Sequence, residues 1–292
     1  MKSALKLPKL LYRTAILKLS HNNSDPVTDY DNAAASYDEY YSKYLGKRAL
    51  EMLEKLPIKP GDCILDLACG TGVFSHPLAE QVGESGTIVA VDISPGMLQQ
   101  NREKAMIKNL SNINFVESDA LSFLQRVSSN SVDGVVCAWG ICYMNHEQLR
   151  QELERVVKPG GFIGLIENRA CTLKDVSDLF TKVLMDYPEA IEKNMVLHLP
   201  KDHKYLVKAF CKNRFKALEA LDDFVVVPCK NGNEIVDYMV KSGASAGFIN
   251  ALEASMVNTV LQKLIEYANE GMSRGRKILV KHEFSILIGE KI

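Results

Sequence analysis

The sequence predicts an α/β fold: a doubly wound, mostly parallel seven-stranded sheet with an antiparallel last strand, accompanied by a helical lid. Two observations predict it. Short apolar runs bounded by turns alternate with stretches of helical spacing between residues 63 and 167, the pattern of parallel strands covered on both faces. A last alternating run, "KILVKHEFSILIGE" at 277–290, returns without a crossover helix and so fits an antiparallel edge.

The elements follow in order. The segment 1–20 carries Lys2, Lys6, Lys9, Arg13 and Lys18 with no acid, interleaved with Leu5, Leu7, Leu10, Leu11, Ile16, Leu17 and Leu19. A basic amphipathic helix of this kind suits a membrane surface, although Pro8 interrupts its start and the same stripe also suits packing on a core. Arg13 breaks the apolar run, so a secretory signal fits poorly. "SHNNSDPVTD" (20–29) reads as a linker. Residues 32–56 read as one or two helices, with Gly46 as a break. Strands are expected at 63–68, 87–93, 113–118, 132–138 and 161–167, with helices at 72–82, 95–109, 120–127 and 145–157. A helical insertion spans 169–200, followed by a strand at 216–228, helices at 233–241 and 250–270, and the final strand. Four segments result: an N-terminal lid or arm (1–60), a binding core (61–168), a helical cover (169–212) and a C-terminal completion of the sheet (213–292).

Composition narrows the function classes. Lys and Arg number 35 against 36 Asp and Glu, a net charge of −1, which gives no global reason to expect a nucleic-acid partner. The seven cysteines are scattered without zinc-type spacing, which suggests reduced, packed thiols in a cytoplasmic protein and no metal site. No run approaches the roughly 18 apolar residues that span a bilayer.

The stretch "ILDLACGTGVFSHPLA" (64–79) is strand, small-residue turn, helix. Such a turn sets helix N-terminal amides and unobstructed backbone beside a ligand at the carboxyl end of the first strand. Gly70 and Gly72 remove Cβ atoms that would block approach or forbid the dihedrals. Twenty residues after Gly72, Asp92 ends the second strand, where an acid can accept both hydrogens of a ribose diol. Asp119 ends the third, placed either for an adenine amino group or as a helix cap. Three strand ends thus converge on one adenosine. A dinucleotide needs a small third residue in its turn, where Ser75 stands here. Asp66 would repel its phosphates yet suit a cationic amino group. S-adenosylmethionine carries that amino group and no phosphate.

"LDLACGTG" (65–72), "VDISPGML" (91–98), "VESDAL" (116–121), "VDGVVCAWG" (132–140) and "LERVVKPGGFI" (153–163) resemble, in this order, the motifs of class I S-adenosylmethionine-dependent methyltransferases. The resemblance is strongest to the small-molecule branch that includes ubiquinone and menaquinone biosynthesis methyltransferases, and it implies a Rossmann-like sheet. It further implies that Asp66 and the turn at Ala68, Gly70 and Gly72 hold the methionine part of the cofactor. Asp92 is implied as the ribose ligand, Ile93 and Met97 as flanking the adenine, and Asp119 with Ala120 as its edge pair. Cys137 and Trp139, with Ala138, are implied to border the sulfonium and the substrate, and Tyr37 to approach the cofactor. Ala68 stands where the family has its first turn glycine. Lys158-Pro159-Gly160-Gly161 matches the family's structural turn into strand five.

Methyl transfer is an in-line displacement that asks mainly for close, aligned, water-shielded reactants. A general base helps a hydroxyl acceptor and is dispensable for an amine, thiolate or activated carbon. Tyr143 is a catalytic candidate on the rim after strand four, or a packed aromatic. His146 is a second, or a first-turn helix residue. His198, His203 and Glu167 are open between acceptor contact and solvated or capping roles. The tyrosines at 30, 37, 40, 41 and 44 suit either a lid or a core stripe. The expected activity is methylation of a small, lipophilic or natural-product-like acceptor by a monomer or homodimer. Peripheral membrane contact through the basic first helix is part of this expectation. A cofactor-binding partner subunit without turnover and an NAD-dependent oxidoreductase are the alternatives.

Overall fold

The computed structural model describes residues 6–292, so Lys2 and Leu5 of the basic segment lie outside the described residues. Helices and strands follow in the order α1 (Lys6–Ser20), α2 (Val27–Ala33), a π-helical turn (Asp38–Ser42), α3 (Lys43–Leu53), β1 (Cys63–Leu67), α4 (Ser75–Val82), β2 (Thr87–Asp92), α5 (Pro95–Ile107), β3 (Ile113–Glu117), α6 (Ala120–Leu124) and β4 (Val132–Ala138). After β4 come a 3₁₀ turn (Ile141–Tyr143), α7 (His146–Val156), β5 (Val157–Asn168), α8 (Lys174–Asp186), a 3₁₀ turn (Pro188–Ala190) and α9 (His203–Phe210). The chain closes with β6 (Phe215–Val227), α10 (Gly232–Lys241), α11 (Val257–Ser273) and β7 (Val280–Lys291).

One seven-stranded sheet runs in the order β3-β2-β1-β4-β5-β7-β6. Strands β1 to β5 pair in parallel, and β7 is antiparallel to β5, with Leu165 opposite Leu287. The expected class and its antiparallel last strand are therefore present. Central position explains the apolar runs: β1 lies between β2 and β4, and its last four residues are buried. The strand order reverses at β1, so β1 and β4 diverge into helices on opposite sides and leave a crevice beyond their carboxyl ends.

Two compact units interleave along the chain. One comprises residues 42–172, 197–224 and 283–292; its core joins Leu65, Leu67, Val135, Ile163 and Leu287 from the sheet to Leu149, Leu153, Leu206 and Phe210 from α7 and α9. The other comprises the chain up to Tyr41 with residues 173–196 and 225–282. Within it α11 packs on α8 and α10, and α1 packs on α8. The Tyr238 hydroxyl lies 2.8 Å from Nε2 of buried His282, whose burial pulls its pKa down to about 3.

Local differences from the expected elements have simple causes. Gly46 does not break α3; it is buried, and a Cβ there would already touch Val73 Cγ2 at 3.5 Å, so packing overrides its weak helix propensity. Pro8 sits in the first turn of α1, where its missing N–H has no intrahelical acceptor to lose. Only Lys174–Asp186 of the segment 169–200 is α-helical. Beyond the 3₁₀ turn it is extended or irregular and held by bridges such as Ile191 to Leu252. Among the described residues no helix is long and apolar enough to cross a membrane.

Candidate cofactor-binding site

The crevice is built by the turn from β1 into α4. Ala68, Gly70 and Gly72 all take left-handed backbone, with φ of 52°, 51° and 94°. Glycine does this freely, whereas alanine strains its Cβ against its own carbonyl. A Cβ on Gly70 would meet nothing within 4 Å, so that residue serves the dihedral and leaves its surface open. A Cβ on Gly72 would lie 2.4 Å from Oδ1 of Asn101 and 2.6 Å from Cε1 of His76. This second glycine is required by crowding as well as by conformation.

Asp92 fastens the turn to β2. Its Oδ2 accepts the Gly70 N–H at 2.8 Å and its Oδ1 accepts the Ser94 N–H at 2.9 Å. Ser94 in turn caps α5, its hydroxyl accepting the Met97 N–H at 3.1 Å.

Beneath the turn lies a polar chain. Asp66, fully buried near the end of β1, accepts the Ser75 hydroxyl at 2.6 Å. The Asn101 side-chain amide reaches Ser75 Oγ at 3.1 Å and the Gly70 carbonyl at 3.3 Å, while Asn101 Oδ1 is buried with no hydrogen-bond partner. His76 Nε2 meets the Asn101 carbonyl at 3.2 Å. Burial, joined by a smaller push from nearby Asp92, raises the Asp66 carboxyl to about 7. Asp66 is thus a buried acid set to gain from an incoming cation. Sequence reasoning did not single out Asn101 or His76, and it noted Ser75 only as a poor fit to a dinucleotide; no local pattern marks them.

The other predicted residues divide. Asp119 caps α6, its Oδ1 accepting the Ser122 N–H at 2.8 Å, and Ala120 is buried beside it as the first residue of that helix. Ile93 projects half-exposed just past β2, while Met97 is buried in α5. Cys137 is fully buried on β4, its thiol held protonated by burial and by Glu167. Trp139, buried and at φ 55°, packs edge-on to Phe284. Tyr143 lies partly exposed on the 3₁₀ turn after β4.

His146 is the first residue of α7, and both its ring nitrogens are engaged: Nε2 with the Ile141 carbonyl at 3.1 Å, Nδ1 with the Tyr205 hydroxyl at 3.0 Å. A carbonyl only accepts, which assigns the proton to Nε2, and burial holds the ring neutral. Glu167 accepts the N–H of Cys142 and of Asn168, tying the same 3₁₀ turn to β5, and burial raises it to about 7. Exposed His198 approaches the His146 ring, and His203 pairs with Asp222. Tyr37 belongs to the other unit, where its ring packs between Tyr30 and Tyr41. No cluster that could hold a metal occurs among the described residues.

An adenosine-linked amino acid fits this ground: an open backbone at Gly70, an acceptor acid at Asp92 beside it, and a buried acid at Asp66 without a basic side chain among its partners. Residues 64–161 match the family model described as "Methyltransferase domain". The chain carries a class I S-adenosylmethionine-dependent methyltransferase domain. It is similar to demethylmenaquinone methyltransferase of Lactobacillus johnsonii, 28% identical over 226 residues, covering 72% of this chain and 90% of that one. Its match to demethylmenaquinone methyltransferase of Shouchella clausii is 31% identical over 131 residues and spans 44% of this chain, about half (55%) of that relative's length. In fold it resembles a putative methyltransferase from Bacillus halodurans, with a TM-score of 0.57, 16% identity, and coverage of 84% of this chain and 98% of that one. The sheet order and the glycine turn of the methyltransferase domain accord with that likeness.

Proposed function

We propose that this chain methylates a small lipophilic acceptor of the quinol type. The observation that carries the cofactor half is Asp66: a buried acid under a left-handed turn, with Asp92 one strand away. The acceptor class is supported by the relatives named as demethylmenaquinone methyltransferases.

S-adenosylmethionine supplies an electrophilic methyl carbon on a sulfonium. In this reading Asp66 receives the amino group, with Ser75 and Asn101 fixing its carboxylate, and the backbone of Ala68, Gly70 and Gly72 lies along the methionine part. Asp92 receives the ribose diol, Ile93 and Met97 flank the adenine, and Asp119 with Ala120 reads its edge. Cys137 and Trp139 wall the reacting end and exclude water. Tyr143 contacts the acceptor. His146 acts as a positioning residue, because a neutral ring with both nitrogens engaged holds the 3₁₀ turn and is not free to take a proton. Such a site suits an acceptor that is already nucleophilic, for example an electron-rich ring carbon, over an unactivated hydroxyl. In this proposal the protein works in the cytoplasm as a monomer or homodimer.

The test is methyl transfer from labelled S-adenosylmethionine to demethylated quinols, run beside thermal melts. A labelled quinol and a melting temperature raised by S-adenosylhomocysteine but not by NADH are expected. A shift with NADH alone favours the oxidoreductase, and cofactor binding without product from any quinol or isoprenoid favours the non-catalytic subunit.

A further inference from the structure

Helix α1 has two apolar faces, and among the described residues only one of them is packed. The inner seam is Leu10, Arg13, Thr14 and Leu17, spaced i, i+3, i+4, i+7. Leu10 is buried, and Arg13 donates from Nε to the Ile191 carbonyl. The opposite face carries Leu11, Tyr12, Ile16 and Leu19, with Leu11 58%, Tyr12 72% and Leu19 80% exposed. Scattered exposed leucines are ordinary, but four large apolar side chains on one face of a four-turn helix are not.

Charge says what covers this face. The helix carries Lys6, Lys9, Arg13 and Lys18 and no acidic residue. Lys6 pairs with Asp186 and Arg13 holds Ile191, while Lys9 and Lys18, which make no ion pair among the described residues, flank the apolar face on either side. The acids packed near α1 are Asp186, already paired, and Glu189, which shares a groove with Lys9, Tyr12 and Ile16. An apolar strip edged by lysines, with no acid of its own helix, is complementary to a surface that is apolar inside and anionic at its boundary. A protein partner offering only an apolar patch would leave both lysines unanswered.

We propose that the Leu11–Leu19 face of α1 docks the protein on membranes containing anionic lipid, with Leu11, Tyr12, Ile16 and Leu19 entering the headgroup boundary and Lys9 and Lys18 meeting lipid phosphates. The docking rests on the faces of α1 and not on the acceptor, so its test needs no substrate.

The full chain is sedimented with vesicles of phosphatidylcholine alone or mixed with phosphatidylglycerol. Binding to the mixed vesicles only, weakened about fivefold by each of Lys9→Gln and Lys18→Gln and abolished by Leu11→Glu with Tyr12→Glu, is the expected result. The melting temperature and S-adenosylhomocysteine binding of these variants stay at the parent values, since the altered side chains face solvent. No binding, equal binding to both vesicles, or a concentration-dependent dimer that Leu11→Glu dissociates would overturn the proposal, the last by assigning the face to a second copy of this chain.

Discussion

Ser75, the first residue of α4, donates its hydroxyl to Asp66 on β1 at 2.6 Å, and both groups are buried. A helix start and a strand end are thereby joined under the glycine turn. The hydroxyl does not neutralise the acid, whose carboxyl burial lifts from 3.8 to about 7.

That shift sets a pH dependence. A carboxyl with a raised folded pKa keeps a proton that the unfolded chain releases, so its contribution to stability falls as pH rises from about 4 to about 7. Glu167, also raised to about 7, acts in the same direction. The urea midpoint of Asp66→Asn should decline less between pH 5 and pH 8 than that of the parent. A cationic ligand stabilises the ionised form, so protection by S-adenosylhomocysteine should grow with pH in the parent and not in the variant. Parallel curves for the two proteins would remove Asp66 from this role.

Ala68 invites the opposite of a damaging mutation. At φ 52° its Cβ is strained by about 1–2 kcal/mol, while glycine adds about 0.4–1 kcal/mol of unfolded-state freedom. Ala68→Gly should therefore stabilise the fold by up to about 1.6 kcal/mol in urea titrations, and a clear loss of stability would contradict the strain.

Gly72→Ala should do the reverse. The new methyl would press on Asn101 and His76, both buried and hydrogen-bonded, at a cost of about 1–3 kcal/mol for overpacking. Calorimetric titration should show S-adenosylhomocysteine affinity lost as well, because the turn must shift to admit the methyl.

Asp92→Ala removes the acceptor of the Gly70 and Ser94 amides. Cofactor affinity should fall by about 1–3 kcal/mol with the loss of a hydrogen-bonded acid. Asp119→Ala, in contrast, should lower the melting temperature through its lost helix cap, and a comparison of affinity between the two variants separates cofactor contact from capping.

Tyr143→Phe and His146→Phe distinguish contact from positioning. If Tyr143 touches the acceptor, its variant raises the acceptor KM. His146→Phe abandons one buried and one partly buried hydrogen bond, so it should lower the melting temperature and kcat without displacing the pH profile. A displaced profile would make His146 a base after all.

Taken alone, the amino-acid sequence determined the seven strands, their mostly parallel order and the strand-turn-helix at residues 64–79, because apolar period, β-branched runs and small-residue turns are local properties that survive without knowledge of the fold. Tertiary structure decided the rest. Asp66, Ser75 and Asn101 meet only because the sheet order turns back at β1 and lays α5 against the glycine turn, a proximity of residues up to 35 positions apart that no periodicity encodes. The same holds for the left-handed backbone at Ala68, for both nitrogens of His146 finding partners, and for Gly46 passing unbroken through α3. In each case the free energy is set by what packs around the residue, and local preference yields to it.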